Sequence, residues 1–168
     1  MQHNELGDGT LYQFALTIGQ HPSLTYLDIS QNKINNENFT HLFKQAQTES
    51  CKLKVFHCRK NQVGGPEVTA VLNTQSKHLT VLDLSSNALT DENARALLSY
   101  ARKNVFIETL RIPKNREVSA NLANQISEEC ASNIYIKHNI LGQLPLSRFT
   151  GFEHSLYGSS CLKDFDVS

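Results

Sequence analysis

The sequence predicts an α/β solenoid in which short parallel β-strands line a concave inner face, helices cover the convex outer face, and the coil is right-handed. Three observations predict it. Asparagine recurs at Asn4, Asn32, Asn61, Asn87, Asn115 and Asn139, at intervals of 28, 29, 26, 28 and 24 residues. The asparagines close one apolar frame: Leu24-x-x-Leu27-x-Ile29-x-x-Asn32, Leu53-x-x-Phe56-x-Cys58-x-x-Asn61, Leu79-x-x-Leu82-x-Leu84-x-x-Asn87 and Ile107-x-x-Leu110-x-Ile112-x-x-Asn115. Each frame is followed by apolar residues at helical spacing. A strand and a helix of this size cannot shelter their apolar faces alone, so neighbouring units must stack.

The elements follow in chain order. Met1 stands three residues before Asn4, the place held later by Ile29, Cys58, Leu84 and Ile112, so the first strand lacks all but its last residues. A solenoid normally begins with a polar capping unit. Its lack before Asn4 predicts that the chain is the C-terminal part, or a short isoform, of a longer array. Leu11, Phe14 and Ile18 mark the first helix, Phe39, Leu42 and Ala46 the second, Ala94, Leu97 and Ala101 the fourth, and Leu122, Ile126 and Cys130 the fifth. The third unit is shorter and has Gln75 where an apolar residue is expected, which predicts a brief helix begun by Pro66. Thr90-Asp91-Glu92 offers a cap and early acids to the fourth. A weaker frame, Ala131-x-x-Ile134-x-Ile136-x-x-Asn139, predicts a fifth strand that ends the array. The asparagines are expected to turn inward and satisfy backbone groups exposed by the turn. Leaving such groups unpaired costs about 1–3 kcal/mol each. The repeat domain is thus expected over residues 1–141, and 142–168, where periodicity stops, as a cap or flexible tail.

With its period near 28, a helix in each unit and best copies at residues 24–32 and 79–87, the chain resembles leucine-rich-repeat proteins of the ribonuclease-inhibitor-like subclass. The resemblance implies the horseshoe form of the solenoid. It also implies a scaffold that binds proteins, since this subclass covers inhibitors, sensors, regulators of small GTPases and actin-regulating arrays of the tropomodulin kind. The fold does not choose among them.

Sixteen basic and sixteen acidic residues balance to zero, which disfavours a nucleic-acid binder with its one-sided basic excess. No stretch approaches the ~20 apolar residues that span a bilayer, and the N-terminus carries no secretory signature. Of the four cysteines, Cys58 and Cys130 occupy inward positions and behave as small apolar residues. No Cys-x-x-Cys or His-x-His spacing suggests a metal site, and free thiols suit a reducing, cytoplasmic compartment. No cofactor is expected. The sequon Asn38-Phe39-Thr40 would matter only in a secreted protein.

Strand residues that alternate with the buried ones face the inner side. The central row reads Asp28, His57, Asp83, Arg111 and Tyr135, flanked by Tyr26 on one side and by Arg59 and Lys137 on the other. The row alternates in charge, so it can neutralise itself as a cross-strand ladder. It can also form a partner-binding stripe, with Tyr26, Arg59, Arg111 and Tyr135 as the contacts, because Tyr and Arg are enriched in binding hot spots. Asp28 or Asp83 beside His57 resembles part of a catalytic array, but Ser30 and Ser85 lie on an open sheet that excludes no water, and no enzyme activity is expected. Five strands would give a footprint of about 400 Å², half the ~800 Å² per partner of a standard interface. Either the loops after the asparagines, on a rim made basic by Arg59, Lys60, Lys114, Arg116 and Lys137, or missing upstream units must then add to the contact, and an acidic partner surface is expected. The alternative function is regulation of a small GTPase or of actin.

Overall fold

The computed structural model describes residues 8–72 and 78–140. The expected partial first strand, Gln75 and the cap or tail over 142–168 lie outside the described residues. Four strands, β1 (Tyr26–Asp28), β2 (Val55–His57), β3 (Val81–Asp83) and β4 (Thr109–Arg111), form one parallel sheet in chain order. They alternate with α1 (Asp8–Gln20), α2 (Asn36–Ala46), α3 (Pro66–Val71), α4 (Asp91–Lys103) and α5 (Ala120–Tyr135). The register is the one the frames predict: Leu27 pairs with Phe56, Phe56 with Leu82, and Leu82 with Leu110. Those four residues and the inward stripes of the helices form one hydrophobic core.

Three asparagines of the frame, Asn61, Asn87 and Asn115, each tie one unit to the next. The Oδ1 atoms of Asn61, Asn87 and Asn115 accept from the backbone N–H groups of Asn32 and Ile34, Asn61 and Val63, and Asn87 and Leu89 respectively, all at 3.0–3.1 Å. Their amide nitrogens donate to carbonyls of both units, as Asn115 does to Leu84 at 3.1 Å and Ile112 at 2.7 Å. The donors exposed by one turn are thus satisfied by the side chain of the following one.

The residue before each asparagine, Gln31, Lys60, Ser86 and Lys114, has φ between 52° and 63°. This left-handed conformation costs an L-residue about 1–2 kcal/mol. It persists because the backbone N–H groups of Gln31, Lys60 and Ser86 donate to Arg59, Ser85 and Pro113 of the next unit. Glycine escapes the penalty, so Ser86→Gly is expected to leave stability unchanged or raise it by up to about 1 kcal/mol, whereas β-branched Ser86→Val lowers it by about 1–2 kcal/mol. Urea unfolding of the two variants checks the sign.

The helices begin where capping chemistry allows. Thr90 caps α4 in a reciprocal box with Asn93, and Asn35 Oδ1 accepts from Asn38 N–H at the start of α2. The third helix is brief, as expected, at six residues. Across it, Phe43 of α2 reaches Tyr100 of α4 with ring centroids 5.7 Å apart.

The expected fifth strand is absent from the described residues. α5 runs through Ala131 and Ile134 to Tyr135, and a π-helical turn continues over Ile136–Ile140. The last interval, 24 residues, is too short for both a full helix and a turn back to the sheet. Nothing between Cys130 and Lys137 breaks a helix, since Gly and Pro are both missing there. The helix instead covers the sheet edge: Cys130 is buried in the core, and Asn133 Nδ2 donates to Ala101, Asn104 and Ile107 carbonyls. Asn139 therefore leaves the ladder, and its Nδ2 donates along the helix to Tyr135 O at 3.2 Å.

Candidate functional site

The sheet face opposite the core carries side chains that are exposed or half-buried at Tyr26, Val55, His57, Val81, Thr109 and Arg111. Asp28, His57, Asp83 and Arg111 stand side by side in register, as the sequence predicts. They do not form a uniform exposed ladder. Asp28 and Asp83 are buried, at 9% and 2% exposure. Each accepts the backbone N–H two residues on, Ser30 at 2.9 Å and Ser85 at 3.0 Å. This is the local turn that Asp favours after a strand. Its signal, Asp two residues before Ser in both units, is visible in the sequence.

Their charges are also partly matched. His57 Nδ1 lies 3.8 Å from Asp28 Oδ2, and Tyr26 packs edge-on against the His57 ring at 5.4 Å. Tyr26 Oη sits 3.5 Å from Asp28 Oδ2 and 3.4 Å from His57 Nδ1. Asp83 has Arg59 Nε at 3.9 Å, near enough for charge attraction but too far for a hydrogen bond, and that shielded Nε has no hydrogen-bond partner among the described residues. Both serines once set beside the Asp–His pairs are engaged: Ser30 Oγ accepts from Arg59 N–H at 3.1 Å, and Ser85 Oγ donates to Asp83.

Two of the expected contact residues are not on this face. Tyr135 ends α5 and Lys137 lies in the turn after it, because the helix replaces the strand that would have carried them. Tyr135 is 56% exposed, and Lys137 pairs with Glu108. Of the expected contact residues, Tyr26, His57, Arg59 and Arg111 stand on or beside this face, above the two buried aspartates.

At the C-terminal ends of β2 to β4 the turns enclose a hollow of about 320 Å³, walled by Arg59, Lys60, Asp83, Arg111 and Lys114 among others. Sequence reasoning saw the basic turns but not this hollow, which arises only when the turns of successive units stack in register. Among the described residues no group of three or more His, Cys, Asp or Glu side chains could hold a metal ion. Cys51, Cys58 and Cys130 are free and buried. Burial pushes the Cys58 and Cys130 thiols up, which keeps them protonated and unreactive. No helix among the described residues is long and apolar enough to cross a membrane.

A family model described as Leucine Rich repeat matches residues 20–37 and 75–98. Eighteen chains of solved structures match the fold. One, "Leiomodin-1 Actin-Binding Site 2 (ABS2)", superposes with a TM-score of 0.71 at 10% identity, covering 85% of this chain and 84% of that one. No curated protein sequence matches. The repeat match and the parallel strand–helix units together support a leucine-rich-repeat protein. At that identity the structural likeness speaks for the fold alone.

Proposed function

We propose that the chain is a non-catalytic protein-interaction module. Its strands would line the concave side of a right-handed horseshoe of the ribonuclease-inhibitor-like kind, and a protein partner would dock on the open sheet face. The observation that carries this is the exposure of that face among the described residues: Tyr26 is 53% exposed at one end and Arg111 is exposed at the other, above two buried aspartates bonded to their own turns. Tyr and Arg are enriched among binding hot spots, and an aromatic ring with few rotatable bonds loses little entropy on contact. Three buried free thiols agree with a reducing, intracellular setting.

Tyr26→Ser combined with His57→Ser is expected to reduce recovery of the protein's partners from cell extract at least tenfold, while Tyr135→Ser on α5 leaves recovery unchanged. Circular dichroism would confirm that both variants stay folded. Equal recovery by wild type and the face variant would overturn the reading. A second reading, an actin-regulating array, is favoured by the likeness to the solved structure of a leiomodin actin-binding site. Co-sedimentation with actin filaments tests it directly, and an unchanged supernatant fraction refutes it.

A further inference from the structure

Four strands leave three gaps and give an inner footprint of about 300 Å², smaller than five would allow, and far below the ~800 Å² a stable complex needs from each partner. Surface beside the strands can add to it, and the hollow at their C-terminal ends is continuous with the face through Asp83 and Arg111. Four cations, Arg59, Lys60, Arg111 and Lys114, share that hollow with one acid, Asp83. The sum is +3 in a chain whose sixteen basic and sixteen acidic residues cancel, so this is a local concentration of charge and not a reflection of composition.

The one acid is also spent. Asp83 accepts from Ser85 N–H and Oγ and is 2% exposed, so it compensates Arg59 from below and leaves the outer cations uncovered. Lys60, Arg111 and Lys114 are exposed, and none has an ion pair among the described residues, although Arg111 stands next to Asp83 in the strand register. The left-handed turns at Lys60 and Lys114 place these two lysines at equivalent points of their units.

On these grounds we propose that the hollow binds an acidic segment of the protein partner, an extended stretch carrying Asp or Glu side chains that seat on Arg59 and Arg111. This rests on the interaction-module reading and names the chemistry of its partner. The two arginines are two strands apart and two residues apart along the strand, so their Cα atoms are about 12 Å from each other, a span covered by three or four extended residues. Carboxylates four positions apart, on the same side of the extended stretch, would therefore reach both, and arginine holds carboxylates through paired N–H donors. Steering by such a patch raises the association rate and weakens with salt.

The test is fluorescence anisotropy with a labelled eight-residue peptide bearing glutamates four positions apart, against the same peptide with glutamines. The protein variant is Lys60→Gln/Arg111→Gln/Lys114→Gln. Gln31 already occupies the same left-handed turn position in its own unit, so glutamine suits the backbone at 60 and 114. The expected result is binding of the glutamate peptide, at least tenfold weaker for the glutamine peptide and for the variant, and falling as salt rises from 50 to about 200 mM. Binding of both peptides alike would overturn the proposal, as would full competition by inorganic phosphate or by a short RNA at concentrations below that of free glutamate peptide. If the triple variant recovers partners from extract as wild type does while the Tyr26/His57 variant does not, this inference fails and the interaction-module reading stands. If neither variant loses partners, both fail.

Discussion

Asn115→Ala is expected to destabilise the protein by about 4 kcal/mol, because it strands one buried and one partly buried backbone donor at about 1–3 kcal/mol each and withdraws a donor from two carbonyls. The donors are Asn87 N–H and Leu89 N–H, and the carbonyls belong to Leu84 and Ile112. Asn115 is only 6% exposed, so water cannot take over these bonds. Asn87 makes an equivalent set but is half-exposed, and Asn87→Ala should cost less. Asn115→Asp distinguishes the two halves of the amide. It keeps the acceptor for Asn87 and Leu89 but sets a carboxylate oxygen against the Leu84 and Ile112 carbonyls, so it should also lose stability. A domain is typically stable by only 5–15 kcal/mol, and a loss this large would bring chemical unfolding to low urea. Equilibrium urea unfolding measures it, and a loss below about 1 kcal/mol for Asn115→Ala would mean that the ladder is not what couples the units.

The asparagine ladder was legible in sequence because a polar residue recurring after an apolar frame has few uses inside a stack. Strand register was legible for the same reason: Leu27, Phe56, Leu82 and Leu110 occupy the same place in their frames, and one face must be buried. The fifth strand was not. Ala131, Ile134 and Ile136 match the frame, but Leu122, Ile126 and Cys130 set a helical stripe that continues through Asn133 to Ile136, and a short interval with no breaker lets the helix win, leaving Ala131 and Ile134 exposed. That single outcome removed Tyr135 and Lys137 from the site. The burial of Asp28 and Asp83 was hidden for a different reason. Alternation says which way a side chain leaves the strand, not whether it then folds back onto its own turn. The left-handed residues were hidden because Gln31, Lys60, Ser86 and Lys114 carry none of the glycine that usually marks such a conformation.

Phe43→Ala should cost about 3–5 kcal/mol, the range for emptying a buried phenylalanine site, and its larger interest is where the loss falls. In a stacked array each unit normally touches only its neighbours. Here α3 has six residues, and Phe43 passes across it to Tyr100, so the second and fourth helices meet through a tilted ring pair. Phe43 also stacks on Phe39 at 5.3 Å, and Phe39 on Phe56 of β2 at 6.2 Å, which carries the contact from the helices to the sheet. All four rings are fully buried. A purely nearest-neighbour array would show no energetic coupling between positions 43 and 100. The rings in contact predict a coupling of about 0.5–1.5 kcal/mol, measured by a double-mutant cycle of Phe43→Leu and Tyr100→Leu in urea. A coupling near zero would make α3 a true link of the chain. A coupling in the predicted range would show instead that the brief third helix is bridged by aromatic packing, which holds β2 to β4 in the register that the candidate site requires.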